Sequence, residues 1–107
     1  MDHSSNSIQL VGRIAIGLEY RNEFLSRTKE LCELTNKIEC PLLFQCFEDL
    51  NSSSHFIFYE IWSSQKKLEA HFKTNHFLAW SSWVQGKTIC EPEIRIGPMG
   101  STTILTN

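Results

Sequence analysis

Two histidines, His71 and His76, stand five residues apart in the stretch FIFYEIWSSQKKLEAHFKTNHF, downstream of an aromatic segment that carries Glu60. Imidazole titrates near neutral pH, so a histidine that faces a cavity is suited to proton transfer. On one continuous helix, five residues amount to a rotation of about 140°, at roughly 100° per residue. The rings would then diverge, unlike the zinc-binding pair of an H-E-x-x-H helix. Thr74 changes this. As an N-cap between the two histidines it breaks the helix and can turn both rings toward one cavity. The alternative is structural, with each ring bonding a carbonyl or packing at the break.

Glu60 shares its strand face with Phe56, Phe58 and Trp62. A carboxylate among aromatic rings needs a partner or a raised pKa. It either fixes a helix or subunit contact or acts as a base toward a cavity. Trp62, Trp80 and Trp83 supply packing, or a platform for an aromatic ligand. Tyr59 and His55 fall on the opposite strand face and would meet a substrate only if that face lined the cavity. The sequence does not assign the inner face. The four cysteines, Cys32, Cys40, Cys46 and Cys90, form no C-x-x-C pair. The reading is buried, reduced thiols acting as small hydrophobes, and no metal site.

These residues sit in a chain of 107 residues, 41% hydrophobic and 21% charged, which is the size and composition of one globular domain. A formal net charge of -2 gives no electrostatic basis for binding nucleic acid or an anionic membrane surface. No apolar run approaches the roughly 20 residues needed to span a bilayer. The first residues, MDHSSNS, lack the basic start and apolar core of a signal peptide. The expectation is a cytoplasmic protein.

The periodicities predict the elements that position the candidates. Apolar residues at even positions from 8 to 18, except Gly12, indicate a strand with one buried face. Residues 22–37 read as a helix, capped by Asn22, with Phe24, Leu25, Thr28, Leu31, Cys32 and Thr35 on its apolar face. Pro41 cannot continue it, so 42–48 reads as a strand, followed by the loop Asn51-Ser52-Ser53-Ser54. Residues 55–62 form the next strand, apolar on both faces and therefore expected to be central and covered on both sides. Ser63 or Ser64 caps a short helix to about Phe72. Thr74 caps another over 75–86, which Gly86 stops. Residues 88–96 read as a last strand, with Pro92 marking an edge or bulge.

The order β-α-β-β-α-β is the ferredoxin-like arrangement, an α+β fold with a four-stranded antiparallel sheet. The domain is expected over residues 8–97, between a flexible N-terminus, 1–7, and a tail, 98–107. Both helices lie on one sheet face, so the other needs a partner. A homodimer with facing sheets, a dimeric α+β barrel, is expected.

The run Glu60-Ile61-Trp62-Ser63, then Leu68-Glu69-Ala70-His71, then Thr74-Asn75-His76-Phe77 resembles the antibiotic biosynthesis monooxygenase family of dimeric α+β barrels. Phe24-Leu25 and Leu42-Leu43-Phe44 fit that family's first helix and second strand, and the likeness spans about 8–97. A tyrosine often stands at the Phe44 position, and phenylalanine cannot donate its hydrogen bond. The family includes cofactor-independent oxygenases of quinols and phenols, haem-degrading enzymes and an isomerase. In the haem-degrading branch the catalytic tryptophan would fall on His71 and the haem-ligating histidine on Ser81, a poor iron ligand.

The resemblance implies a cofactor-independent monooxygenase acting on a small aromatic quinol or phenol with oxygen. Its catalytic groups would be His71 and His76, with Tyr59, Glu60, Trp62, Phe44 and Trp80 around the substrate. Two alternatives stay open. One is a ligand-binding or interaction dimer without catalysis, with histidines bonded to backbone. The other is a proton-transfer isomerase, which needs a more polar pocket.

Overall fold

The computed structural model describes residues 6–106. The expected flexible N-terminus lies, for residues 1–5, outside them. Strand β1 (Ile8–Ala15) leads through a short 3-10 turn into helix α1 (Arg21–Ile38). Strands β2 (Leu43–Glu48) and β3 (His55–Trp62) form a hairpin. Two short helices, α2 (Gln65–His71) and α3 (Asn75–Val84), precede β4 (Glu93–Pro98). The sheet order is β2-β3-β1-β4, all antiparallel, so β3 and β1 are central. This is the expected α+β ferredoxin-like fold.

The strand alternation decides which side chains meet the helices. Leu10 and Ile14 of β1, Phe44 of β2, and Phe56, Phe58, Glu60 and Trp62 of β3 are all buried. They close against Phe24, Thr28, Leu31 and Thr35 of α1, Leu68 and His71 of α2 and Val84 of α3. Leu25, expected on that inner face, is exposed. The opposite sheet face carries Val11, Ile57, Tyr59 and Ile61, half-buried, and no helix among the described residues covers it. The expected double cover of β3 is therefore single within this chain.

Polar groups set the helix boundaries. Ser64 Oγ accepts from Lys67 N at 3.2 Å, and Thr74 Oγ1 accepts from Phe77 N at 3.3 Å. Each satisfies a backbone donor that the first helical turn leaves free. Thr74 Oγ1 also donates to the carbonyl of His71 at 2.8 Å, so one hydroxyl joins the end of α2 to the start of α3. Gly86, with φ of 78°, takes the left-handed turn after α3. Helix α1 begins at Arg21, with Tyr20 and not Asn22 at its cap.

The last strand differs from expectation. Thr88 forms only an isolated bridge to Ile16, and the continuous strand starts at Glu93, after Pro92. Proline has no N–H to give a ladder, so pairing with β1 resumes beyond it, with Ile94 opposite Gly12 and Pro98 opposite Ile8. The cysteines also differ: Cys32 and Cys46 are half-buried, Cys40 and Cys90 are exposed, and all four are free. Among the described residues no helix is long and apolar enough to cross a membrane.

Candidate functional site

A cavity of about 410 Å³ lies between the sheet and the helices. Its floor is Leu10, Gly12 and Ile14 of β1 with Phe58 and Glu60 of β3; Phe44, Phe77 and Trp80 form aromatic walls. Strand alternation selects the floor, and the apolar faces of α2 and α3 supply the roof. The wall is mostly apolar, and two ionisable side chains, Glu60 and His71, are both buried in it. Arg13, Ser81, Gln85 and Thr88 supply the other polar side chains on its boundary.

Glu60 Oε1 accepts from Trp62 Nε1 at 2.9 Å. No lysine or arginine pairs with this carboxyl among the described residues. Burial pushes its pKa up to about 7; the Trp62 bond pulls the other way, and the charge of Glu39 adds to the rise. Glu60 is thus a carboxyl that can hold or release a proton near neutrality.

His71 is held at Nδ1 by Glu39, 3.0 Å from Oε2 and 3.2 Å from Oε1. A carboxylate only accepts, so Nδ1 carries the proton and Nε2 is the nitrogen left for a ligand. The ring packs among Trp62, Phe44, Phe77 and Phe72 at centroid distances of 4.9, 5.2, 5.1 and 5.7 Å. Burial lowers the pKa of His71, and Glu39 opposes that shift. The imidazole therefore favours its neutral form more than a free histidine does.

His76 reaches the same carboxylate, with Nε2 2.5 Å from Glu39 Oε2. The helix break at Thr74 brings the two histidines together, with ring centroids 6.2 Å apart. They converge on Glu39, however, and only His71 stands on the cavity wall. Trp62 lies behind Glu60 and beside His71, outside the wall. Phe44 and Trp80 are on the wall, and Trp80 Nε1 is taken by Thr28 Oγ1 at 2.9 Å. Tyr59, expected beside a substrate, is on the other sheet face and reaches no part of this cavity; the alternation of β3 that buries Glu60 turns it outward.

Glu39 was absent from the sequence reading. It follows the last residue of α1 as its C-cap and lies 32 residues from His71. No local pattern marks it. The one available cue is an acidic residue placed two before Pro41, where the chain must turn back toward the sheet.

The family model for antibiotic biosynthesis monooxygenase matches residues 7–83. The crystal structure of a conserved protein from Methanosarcina mazei Go1 is similar at 24% identity, with a TM-score of 0.82 over 89% of this chain and 94% of that one. A crystal structure described as antibiotic biosynthesis monooxygenase is similar at 23% identity, with a TM-score of 0.78 over 84% and 95%. At these identities the likeness carries the fold alone. An uncharacterised protein of Synechocystis sp. is 23% identical over 74 residues, and this chain spans about half of its length, 50%.

Proposed function

The chain belongs to the antibiotic biosynthesis monooxygenase family, and on that premise we propose that its cavity binds a small aromatic quinol or phenol and adds oxygen to it without a cofactor. The observation that carries this reading is the pairing of Glu60 and His71 on one aromatic wall, with pKa values moved in opposite directions. Such a pair divides into acid and base.

His71 Nε2 accepts the phenolic proton, and Glu39 steadies the imidazolium that forms. The electron-rich ring then reduces oxygen, and a C–O bond forms to give a peroxide. The imidazolium returns its proton to the outer peroxide oxygen and Glu60, still protonated, donates a second. The ring C–H electrons form the new C=O as the O–O bond breaks and water leaves, and the ring proton returns to the Glu60 carboxylate. The balance is one quinol bearing a ring C–H plus O₂, giving one hydroxyquinone and one H₂O. The apolar wall keeps bulk water from the carbanion and strengthens each polar contact. His76 acts through Glu39 as a positioning residue.

An oxygen electrode with a hydroquinone and anthrone panel tests this. Uptake should match product one to one, release no hydrogen peroxide, and fall by about 10²–10⁴-fold in His71→Ala. Uptake equal to uncatalysed autoxidation across the panel overturns it. A second reading rests on Phe44, where no phenol is available to bind an oxyanion: a binding dimer on the same fold, which would take up aromatic ligands tightly without turnover. In either case we propose that the open sheet face pairs with a second copy of the chain.

A further inference from the structure

We propose that Glu39, His71 and His76 bind one divalent transition-metal ion of the zinc class, at a site behind the cavity wall. Two imidazoles and one carboxylate are a donor set suited to such ions. One donor atom from each residue lies within 4.8 Å of the other two. Around a common ion, tetrahedral donors at about 2.0–2.2 Å stand about 3.3–3.6 Å apart, so each atom needs to move by about 1 Å or less.

Three features favour the site over a coincidence of contacts. Each donor sits at the end of a different helix, since Glu39 caps α1, His71 closes α2 and His76 opens α3. The Thr74 hydroxyl ties the last two ends together. Among the described residues Glu39 has no lysine or arginine partner; its side-chain partners are the two imidazoles. A cation supplies the missing charge. Finally, the side chains of His76 and Glu39 retain 10% and 12% exposure, which leaves an approach from solvent and room for a fourth ligand.

Binding has a consequence for the cavity that is readable without any activity. When metal-free, His71 Nδ1 carries the proton toward Glu39. With an ion on Nδ1, the neutral ring must carry it on Nε2. The nitrogen left for a cavity ligand then changes from acceptor to donor. The site stands or falls separately from oxygenation, because its tests are binding and tautomer.

Cobalt(II) titration of the full chain, followed by visible absorption and by calorimetry with Zn²⁺, is the experiment. One ion per chain should bind, with d–d bands and no thiolate charge-transfer band, and the nitrogen NMR resonances of His71 should exchange protonation. Partners behind metal ligands are already worth about 10–100-fold in affinity, so His76→Ala and Glu39→Gln should each weaken binding by more than that. A Cys40→Ser/Cys90→Ser variant should bind like the parent chain. If His76→Ala does not fold, Glu39→Gln and the zinc-dependent rise in Tm of the parent chain carry the test. No saturable binding up to millimolar metal overturns the site, as does binding that survives in Glu39→Gln.

Discussion

Glu60 is expensive for the fold to keep ionised, and the cost gives a measurable pH dependence. Its carboxyl has a pKa near 4.5 in an unfolded chain and about 7 in the folded one. A folded-state pKa above the unfolded value means that the folded form holds the proton longer. The stability from this group is therefore complete below about 4.5, falls as pH rises through about 7, and is flat beyond. At 1.36 kcal/mol per unit the full swing is roughly 3 kcal/mol, as an upper bound. Glu39 bears on it through charge, and His71 and Arg13 stand on the same cavity wall. Urea unfolding of the parent chain and Glu60→Gln between pH 4.5 and 8 isolates the term, and the parent should lose ground to the variant as pH rises. Parallel curves would mean that Glu60 is not desolvated. Trp62→Phe removes a bond that steadies the carboxylate, so the pKa of Glu60 should climb further above about 7, as seen in the titration of its carboxyl carbon by NMR.

At the scale of elements, one ion pair ties three pieces of chain together. Arg21, the first residue of α1, gives Nε to Glu48 Oε2 at 2.8 Å and Nη2 to Oε1 at 2.6 Å. Glu48 closes β2 and also accepts from Ser54 N at 2.8 Å, just before β3. Ser54 has a φ of 66°, a left-handed backbone that this bond helps to hold. Arg21 first, and the Ser54 N–H second, hold the Glu48 carboxyl down to about 2. A lowered folded-state pKa contributes stability above the unfolded value near 4.5, and that stability is lost as pH falls through about 2. The pair is partly exposed, so solvent screens it. Glu48→Gln should unfold at lower urea than the parent at pH 6, and the gap should close by pH 2. A gap that persists at pH 2 would assign the effect to packing instead. The elements this pair joins were legible in sequence wherever one local signal sufficed. Alternation gave β1 and β3, and Ser64 and Thr74 gave the two caps. Glu39 and the true start of β4 were not legible, because each is defined by a partner far along the chain: His71 and His76 for one, the register of β1 for the other. The turn at Cys40, with φ of 50°, that carries the chain away from α1 after Glu39 likewise has no residue signal such as glycine.

For the whole molecule, strand β3 connects the cavity to the uncovered face. Its inward residues Phe58, Glu60 and Trp62 belong to the core or cavity, while Ile57, Tyr59 and Ile61 alternate outward onto the open sheet face. Leu43 and Phe47 of β2 and Val11 of β1 extend that outward surface, with Gln9, Gln45, Arg13 and Arg95 around it. An apolar centre with a polar rim is the composition of a subunit interface, and exposed on a monomer it would invite aggregation. A second copy placed sheet to sheet would bury Tyr59, which is not on the cavity wall; of the outward residues named, Arg13 alone also borders the cavity. Light scattering at micromolar concentration should then give twice the chain mass of 12.4 kDa. Tyr59→Glu puts an unpaired charge at the centre of the face and should yield the single-chain mass, whereas Leu18→Glu, at a site already 70% exposed, should leave the dimer intact. A parent chain that runs as a monomer at that concentration would remove the dimer. The coupling between the two faces is also testable, since the interface would fix the strand that carries Glu60. The Tyr59→Glu protein should therefore show a broader Glu60 titration than the parent while keeping the burial that raises its pKa.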